Sequence, residues 1–247
     1  MRDRLRAIAL TVFAAATLAV ASHAFQPGIL IDDFNDGDAV GWDQNDFTGL
    51  GIFDASSGAY VIRSSGPIAV DDPSVGSIES HWVRSFTPRY SNGTLRGTVK
   101  ANTVGTTAGF LVRDSEATES DYGFYGSTSF GTFYIERFEF AAHPNAPQTI
   151  IAMADPATQP FEVGKTYYIE ARFVGHSISM KFWEAGTAEP ASPQLQLIDK
   201  LLKPSRVSRL SVLVFFDPEP LMEAGVTAVT VNGTFDDITF SAGASSK

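Results

Sequence analysis

The sequence predicts an all-β chain whose short strands fold into a sandwich or barrel, and three observations carry that reading. Phe, Tyr, Val, Ile and Thr recur in short runs, separated by clusters of Gly, Pro, Asn, Asp and Ser. Helical periodicity is almost absent. Only Gln194 to Leu202 has any helical character, and Pro190, Pro193 and Pro204 around it favour a loop. Candidate strands cover 28–34, 51–54, 59–63, 77–83, 94–101, 108–114, 121–126, 132–140, 148–153, 166–174, 177–184, 208–217 and 227–240. Strands that follow one another without helical intervals close into a sandwich or barrel.

The first segment stands apart from the fold. Arg2, Arg4 and Arg6 precede an apolar run from Ala7 to Ala21, and Ser22-His23-Ala24 ends it with small residues at the positions a signal peptidase reads. The run is shorter than the roughly 20 residues that cross a bilayer. The expectation is a signal peptide over 1–24 and one domain over 25–247, secreted to the periplasm or the cell exterior, with no membrane span after cleavage. Ser241 to Lys247 reads as a frayed end.

The chain has 18 basic and 28 acidic residues. Three of the basic and one of the acidic residues fall in 1–24, which leaves 15 against 27 and a formal charge of −12 on the domain. Such a surface repels phosphate backbones and excludes nucleic acid as a partner. Cysteine is absent, so the apolar core holds the fold alone. The domain's histidines, His81, His143 and His176, are far apart in sequence, which argues against a zinc site or a histidine-dependent triad.

One hairpin can be read in register. Gly175-His176 suits a two-residue type II′ loop between 166–174 and 177–184. Pairing outward from Val174/Ser177 puts Phe173/Ile178, Ala171/Met180 and Ile169/Phe182 on one face, which must be core. Arg172/Ser179, Glu170/Lys181 and Tyr168/Trp183 take the other face. A slip of one residue would bury Glu170 and Lys181, so the register is strongly specified.

Four segments, in this order, resemble the concanavalin A-like lectin/glucanase superfamily, and within it the laminin-G-like and 3-keto-disaccharide hydrolase domains. They are Ile31-Asp-Asp-Phe-Asn-Asp-Gly37 with Trp42; Ala108-Gly-Phe-Leu-Val-Arg113 with Asp121 to Tyr125 and Gly131 to Arg137; Gly164 to Tyr168 with the hairpin; and Thr234 to Phe240. The resemblance spans 29–240 and implies a two-sheet antiparallel jelly-roll sandwich. The fold leaves function open, since such sandwiches host lectins, hydrolases, lyases and adhesion modules.

The laminarinase signature E-x-D-x-x-E would place its carboxylates on one face of one strand, and it is missing here. Glu116-x-x-Glu119-x-Asp121 has the residue types without the spacing and reads as a solvated loop. Any catalytic constellation would be an unfamiliar one, drawing on Glu136, Asp217 or Glu219. The resemblance implies a structural Ca2+ site between first and last strands, with Asp33 and Asp236 as its ligands. A sugar platform needs aromatic rings beside polar groups. Tyr168 and Trp183 on the hairpin, Tyr134 and Glu136 (alternating with Phe138), and Arg113 would form one if their strands share a sheet. The competing reading is a Tyr168/Trp183 pair covered by the 185–206 loop. Asn92-Gly-Thr and Asn232-Gly-Thr read as turn or strand residues rather than glycan acceptors.

The function expected is a non-catalytic, exported module that binds a polysaccharide or cell-surface glycan. The alternatives are a hydrolase of the 3-keto-disaccharide type and a structural adhesion domain without a ligand site. Clustered carboxyl groups with raised pKa inside a groove would point to the hydrolase.

Overall fold

Period-two alternation gives nearly every long strand an apolar side, and those sides face each other across two sheets. A computed structural model describes residues 28–72, 77–83, 90–115, 120–139, 148–201 and 208–243. The expected leader, Glu116, Glu119 and His143 lie outside the described residues. In chain order the elements are β1 (Ile29–Asp32), β2 (Trp42–Asp46), β3 (Gly51–Asp54), β4 (Tyr60–Ser64), β5 (Ile68–Ala69), β6 (Ile78–Trp82), β7 (Gly93–Ala101), β8 (Thr107–Ser115), β9 (Ser120–Ser127), β10 (Thr132–Glu139) and β11 (Gln148–Met153). After them come β12 (Thr166–Val174), β13 (Ser177–Glu184), β14 (Leu195–Ile198), β15 (Arg209–Phe215), α1 (Pro218–Glu223), β16 (Ala228–Val229) and β17 (Asn232–Ala242).

All pairings are antiparallel. The first sheet runs β14-β13-β12-β7-β17-β4-β3, and β1 adds to β17. The second runs β11-β10-β9-β8-β15-β6-β2. A short β5–β16 ribbon stands beside them. Between the sheets lies one apolar core in which Ile169, Phe173, Met180, Phe182, Phe235 and Phe240 face Phe110, Val112, Phe124, Phe133 and Val212. Phe133 and Phe182 stack across the gap with ring centroids 4.0 Å apart. No helix among the described residues is long and apolar enough to cross a membrane.

Three departures from the sequence reading have physical causes. Trp42-Asp-Gln-Asn-Asp46 has poor strand propensity, yet it forms β2 because it can pair along the whole of β6 at the sheet edge. Leu195–Ile198, expected in a loop, is an edge strand whose only ladder is to the Ser177–Met180 half of β13. The expected strand over 208–217 stops at Phe215, and Pro218 opens α1, where its missing N–H costs nothing.

The hairpin pairs as expected, from Val174/Ser177 through Tyr168/Trp183. Gly175 alone of the loop's two residues has positive φ (58°), as a type II′ turn requires. Ile169 is fully buried while Arg172 is exposed. Ile169→Asp is therefore expected to destabilise strongly, because it buries a charge without a partner. Arg172→Asp should shift stability by only about half a kcal/mol. Urea unfolding of the two variants reads the difference, and equal losses would contradict the assignment of faces.

Candidate functional site

The second sheet has another face, turned away from the core, and it is not a solvated one. Alternation sends Phe133 and Ile135 of β10 inward and Tyr134, Glu136 and Phe138 outward; it sends Tyr122 and Phe124 of β9 inward and Asp121, Gly123 and Tyr125 outward. Leu111 of β8, Leu213 and Phe215 of β15, and Glu79 and His81 of β6 extend the same face. Leu111, Tyr125, Tyr134 and Leu213 form a second apolar cluster, with Phe130 and Phe215 against it. This cluster is the floor of a groove of about 910 Å³, walled by residues 70–72 and α1 on one side and by Phe138 and Gln148 on the other.

Gly123 shapes that floor. A Cβ there would stand 2.1 Å from atoms of the Tyr125 ring, so only glycine lets the ring lie back over β9, opposite Glu136. Tyr134 meets Tyr125 edge-on at 5.3 Å and Phe130 at 5.6 Å. Its hydroxyl donates to Asp217 Oδ1 at 2.8 Å, while Thr107 and Ser127 donate to Asp217 Oδ2 at 2.5 and 2.6 Å. Asp217, immediately before α1, thus anchors the end of three strands. Burial pushes its carboxyl up, against the pull of those three donors.

The carboxyl groups exposed to the groove divide into two sets. Asp114 is held by Arg209, with Nε and Nη2 at 2.7 and 3.0 Å from its two oxygens. The Asp114–Arg209 pair borders a polar cluster in which His81 Nδ1 lies 2.6 Å from Ser211 Oγ and His81 Nε2 lies 3.4 Å from Glu79 Oε2. Glu79 also accepts from the Ser77 hydroxyl, yet burial raises its pKa to about 7. Asp121 and Glu136 form the other set: both are more than nine-tenths buried, and neither makes a hydrogen bond or ion pair among the described residues. Burial, then the charge of Asp217, raises Glu136 to about 8. Burial, then the neighbouring Asp114, Glu136 and Glu79, pushes Asp121 well above the usual carboxylate range.

The structure separates the five residues expected to form one sugar platform. Glu136 lines the groove and Tyr134 supports its floor. Tyr168 and Trp183 lie on β12 and β13 of the other sheet, so the expectation of a shared surface is corrected by topology. Their rings stack 5.1 Å apart, and the Arg96 guanidinium covers both at 5.2 and 4.7 Å. Glu189, from the loop after β13, holds Arg96 at 2.8 Å and Lys181 at 2.8 Å. This is the covered-pair arrangement. Arg113 is also elsewhere: at a bulge with φ 56°, its side chain is buried and donates to Ser91 O, Asn92 Oδ1 and Gly175 O. It ties the sheets together at the Gly175 loop. Glu219 is exposed on α1.

Asp121 was expected at the start of a strand but as the end of a solvated acidic stretch; it is the second residue of β9 and buried in the groove. Glu79 carried a weak signal in Ile78-Glu-Ser-His-Trp82, where an acid and a histidine alternate with residues that face the core. Asn92 Oδ1 accepts from Gly175 N, and Asn232 Oδ1 accepts from Asn102, so both asparagines serve the fold.

At the other end of the molecule, β1 pairs with β17 and brings Asp33 and Asp236 into electrostatic contact. Burial raises the Asp236 pKa, and the charges of Asp237, Asp33 and Asp32 add to it. Asp32 is committed to Phe34 N and Trp42 Nε1, both at 2.9 Å. Among the described residues no three carboxylate or imidazole groups converge as a metal site. A calcium ion there would draw its remaining oxygens from backbone carbonyls and water.

No protein-family model and no curated protein matches the chain. Solved structures do. The catalytic domain of an endo-1,3-β-glucanase (laminarinase) from Thermotoga petrophila is similar at 11% identity and TM-score 0.56, over 88% of this chain and 99% of that one. A β-glucanase from Bacillus licheniformis is similar at 10% identity and TM-score 0.54, over 88% and 100%. A β-1,3-glucanase from Mycobacterium marinum is similar at 12% identity and TM-score 0.52, over 87% and 100%. At these identities the likeness is one of fold, and the fold is a two-sheet antiparallel jelly roll.

The raised carboxyls set a pH dependence. Between pH 4.5 and about 8 the folded protein keeps a proton on Glu136 that the unfolded chain has lost, so stability falls as pH rises through this window. A shift of this size corresponds to on the order of 5 kcal/mol. Glu136→Gln is expected to flatten that fall and to raise the melting temperature at pH 8. A melting temperature of the unsubstituted protein that climbs between pH 5 and 8 would contradict the assignment.

Proposed function

We propose that the chain is an exported module that binds a polysaccharide or cell-surface glycan along the groove of the seven-stranded sheet. The observation that carries this reading is the groove itself: an apolar aromatic floor edged by carboxyl groups, continuous across β10, β9, β8, β15 and β6. Sugar rings have apolar C–H faces and a rim of hydroxyls, and such a surface offers partners for both. The fold shared with β-glucanases is compatible with it. The acidic domain and the secretory-type leader favour a partner outside the cytoplasm.

One observation favours a second reading, hydrolysis. Glycosidic cleavage needs one carboxyl protonated near neutral pH and another able to act as base or nucleophile. Glu136, at about 8, stands in the same groove as Glu79, at about 7. They lie on separate strands, β10 and β6, unlike carboxylates spaced along a single strand.

A purified 25–247 domain, passed over a panel of immobilised polysaccharides, is expected to be retained by at least one. Phe138→Ala should weaken retention by on the order of 1–3 kcal/mol, by analogy with bases stacked on aromatic side chains. Retention unaffected by Phe138→Ala would move the site off this groove. Release of reducing ends that vanishes in Glu136→Gln would promote hydrolysis over simple binding.

The reading includes a structural calcium ion at Asp33 and Asp236. An ion bound only by the folded state stabilises it by about 4 kcal/mol at a thousandfold excess over its dissociation constant. Added calcium should therefore raise the melting temperature, chelator should lower it, and Asp236→Ala should abolish the response. A melting temperature indifferent to calcium would leave these aspartates as turn residues.

A further inference from the structure

The charges facing the groove are almost all of one sign. Asp71 and Asp72 come from the wall after β5, Glu79 from β6, Asp114 from β8, Asp121 from β9 and Glu136 from β10. Arg209 is the one basic residue among the described residues lining the groove, and its Nε and Nη2 both face Asp114. α1 contributes only Pro218 and Met222 to the wall.

Asp121 and Glu136 are the pair left over. In the β9–β10 ladder Asp121 faces Phe138 and Glu136 faces Gly123, so the two carboxyls are diagonal neighbours on one face. Gly123 has no side chain to put between them, and the Tyr125 ring lies over that gap. Each carboxyl is more than nine-tenths buried, has no hydrogen-bond partner among the described residues, and opens onto the groove. A neutral sugar would bring only hydroxyls to such a pair and leave it without a compensating positive charge. A uronic acid or sulfated sugar would set a further negative charge beside it. An ammonium group answers both carboxyls at once, and an electron-rich ring beside it adds a cation–π contact.

We infer that the groove takes a glycan bearing free amino groups, with one ammonium seated between Asp121 and Glu136 against the Tyr125 ring. This rests on the glycan-binding reading of the groove and names its ligand class. The sugar ring to which the amine belongs would lie on the aromatic floor, which a lone small amine would leave open. The same geometry argues against acidic polysaccharides.

The test uses the 25–247 domain and four short probes of similar length at pH 6: an oligomer of glucosamine, its fully N-acetylated counterpart, an oligomer of glucose and an oligolysine. Isothermal titration is expected to show the amino oligomer binding more tightly than the acetylated one by about tenfold or more, the scale of a single desolvated charge pair, with release of the proton that Glu136 otherwise holds at this pH. Asp121→Asn with Glu136→Gln should erase that preference. These substitutions remove carboxyls that lack partners, so the fold should persist, and a melting curve checks it. Because the whole domain is acidic, Glu162→Gln with Glu184→Gln serves as the charge control. Those two exposed carboxylates pair with Lys165 on the other sheet, and losing them should leave the preference intact.

Four outcomes overturn the inference. Equal affinity for the amino, acetylated and glucose oligomers means that the groove binds sugar without reading the amine. A preference that survives in the Asp121/Glu136 variant means that general surface charge produced it. Oligolysine binding more tightly than the amino oligomer assigns the groove to a basic peptide. Failure of every oligosaccharide to bind removes the glycan reading itself, and is distinct from the first outcome, in which that reading stands.

Discussion

Strands β8, β9 and β10 lie in the middle of the seven-stranded sheet, and most of their side chains are buried on both faces. An antiparallel sheet commonly leaves one face to water. Here the second face carries its own cluster of Leu111, Tyr125, Tyr134 and Leu213, and the polar residues that alternate with the core must live at its border. That constraint explains the site. A carboxyl on an exposed face would titrate normally, whereas Glu136, beside buried rings and the Asp217 charge, does not. It also explains why Asp217 receives three hydroxyl donors, since a buried carboxylate without them would be too costly to keep.

The first sheet solves the same problem differently. Its outer face carries Arg96, Glu170, Lys181 and Glu189 in a network of opposite charges over the stacked Tyr168 and Trp183 rings. Every member of that network has an opposite charge nearby. The two sheets thus differ: one has its outer charges matched, and the other has carboxyls in excess. Arg113 links the two at one end of the sandwich, where its guanidinium lies against Tyr122 and Phe173 and bonds to the Ser91–Asn92 turn and the Gly175 loop.

The hairpin shows how far alternation can be read without coordinates. Glu170 and Lys181 could sit only on the outer face, so Ile169 and Phe182 had to face the core, and the register followed residue by residue. Glu136 was legible for the same reason, since Tyr134, Glu136 and Phe138 alternate with Phe133 and Ile135 on one strand. Asp121 was not. Its neighbours Glu116, Glu119 and Ser120 are polar, and nothing local says that the strand expected from 121 has a covered outer face. The misplacement of Arg113, Tyr168 and Trp183 has the same origin: periodicity assigns a residue to a face of its own strand, but it does not say which sheet the strand joins.

The sequence by itself therefore determined the all-β class, the inward and outward sets of most strands and the hairpin register, because each depends on spacing within a few residues. Strand order was decided only by the tertiary structure. It put β6, β8, β9, β10 and β15, drawn from positions 78 to 215, into one sheet and so gathered Glu79, Asp114, Asp121 and Glu136 at one groove. The physical reason is that burial and like-charge repulsion depend on distance in space. Residues remote along the chain share them only after long-range pairing has placed their strands side by side.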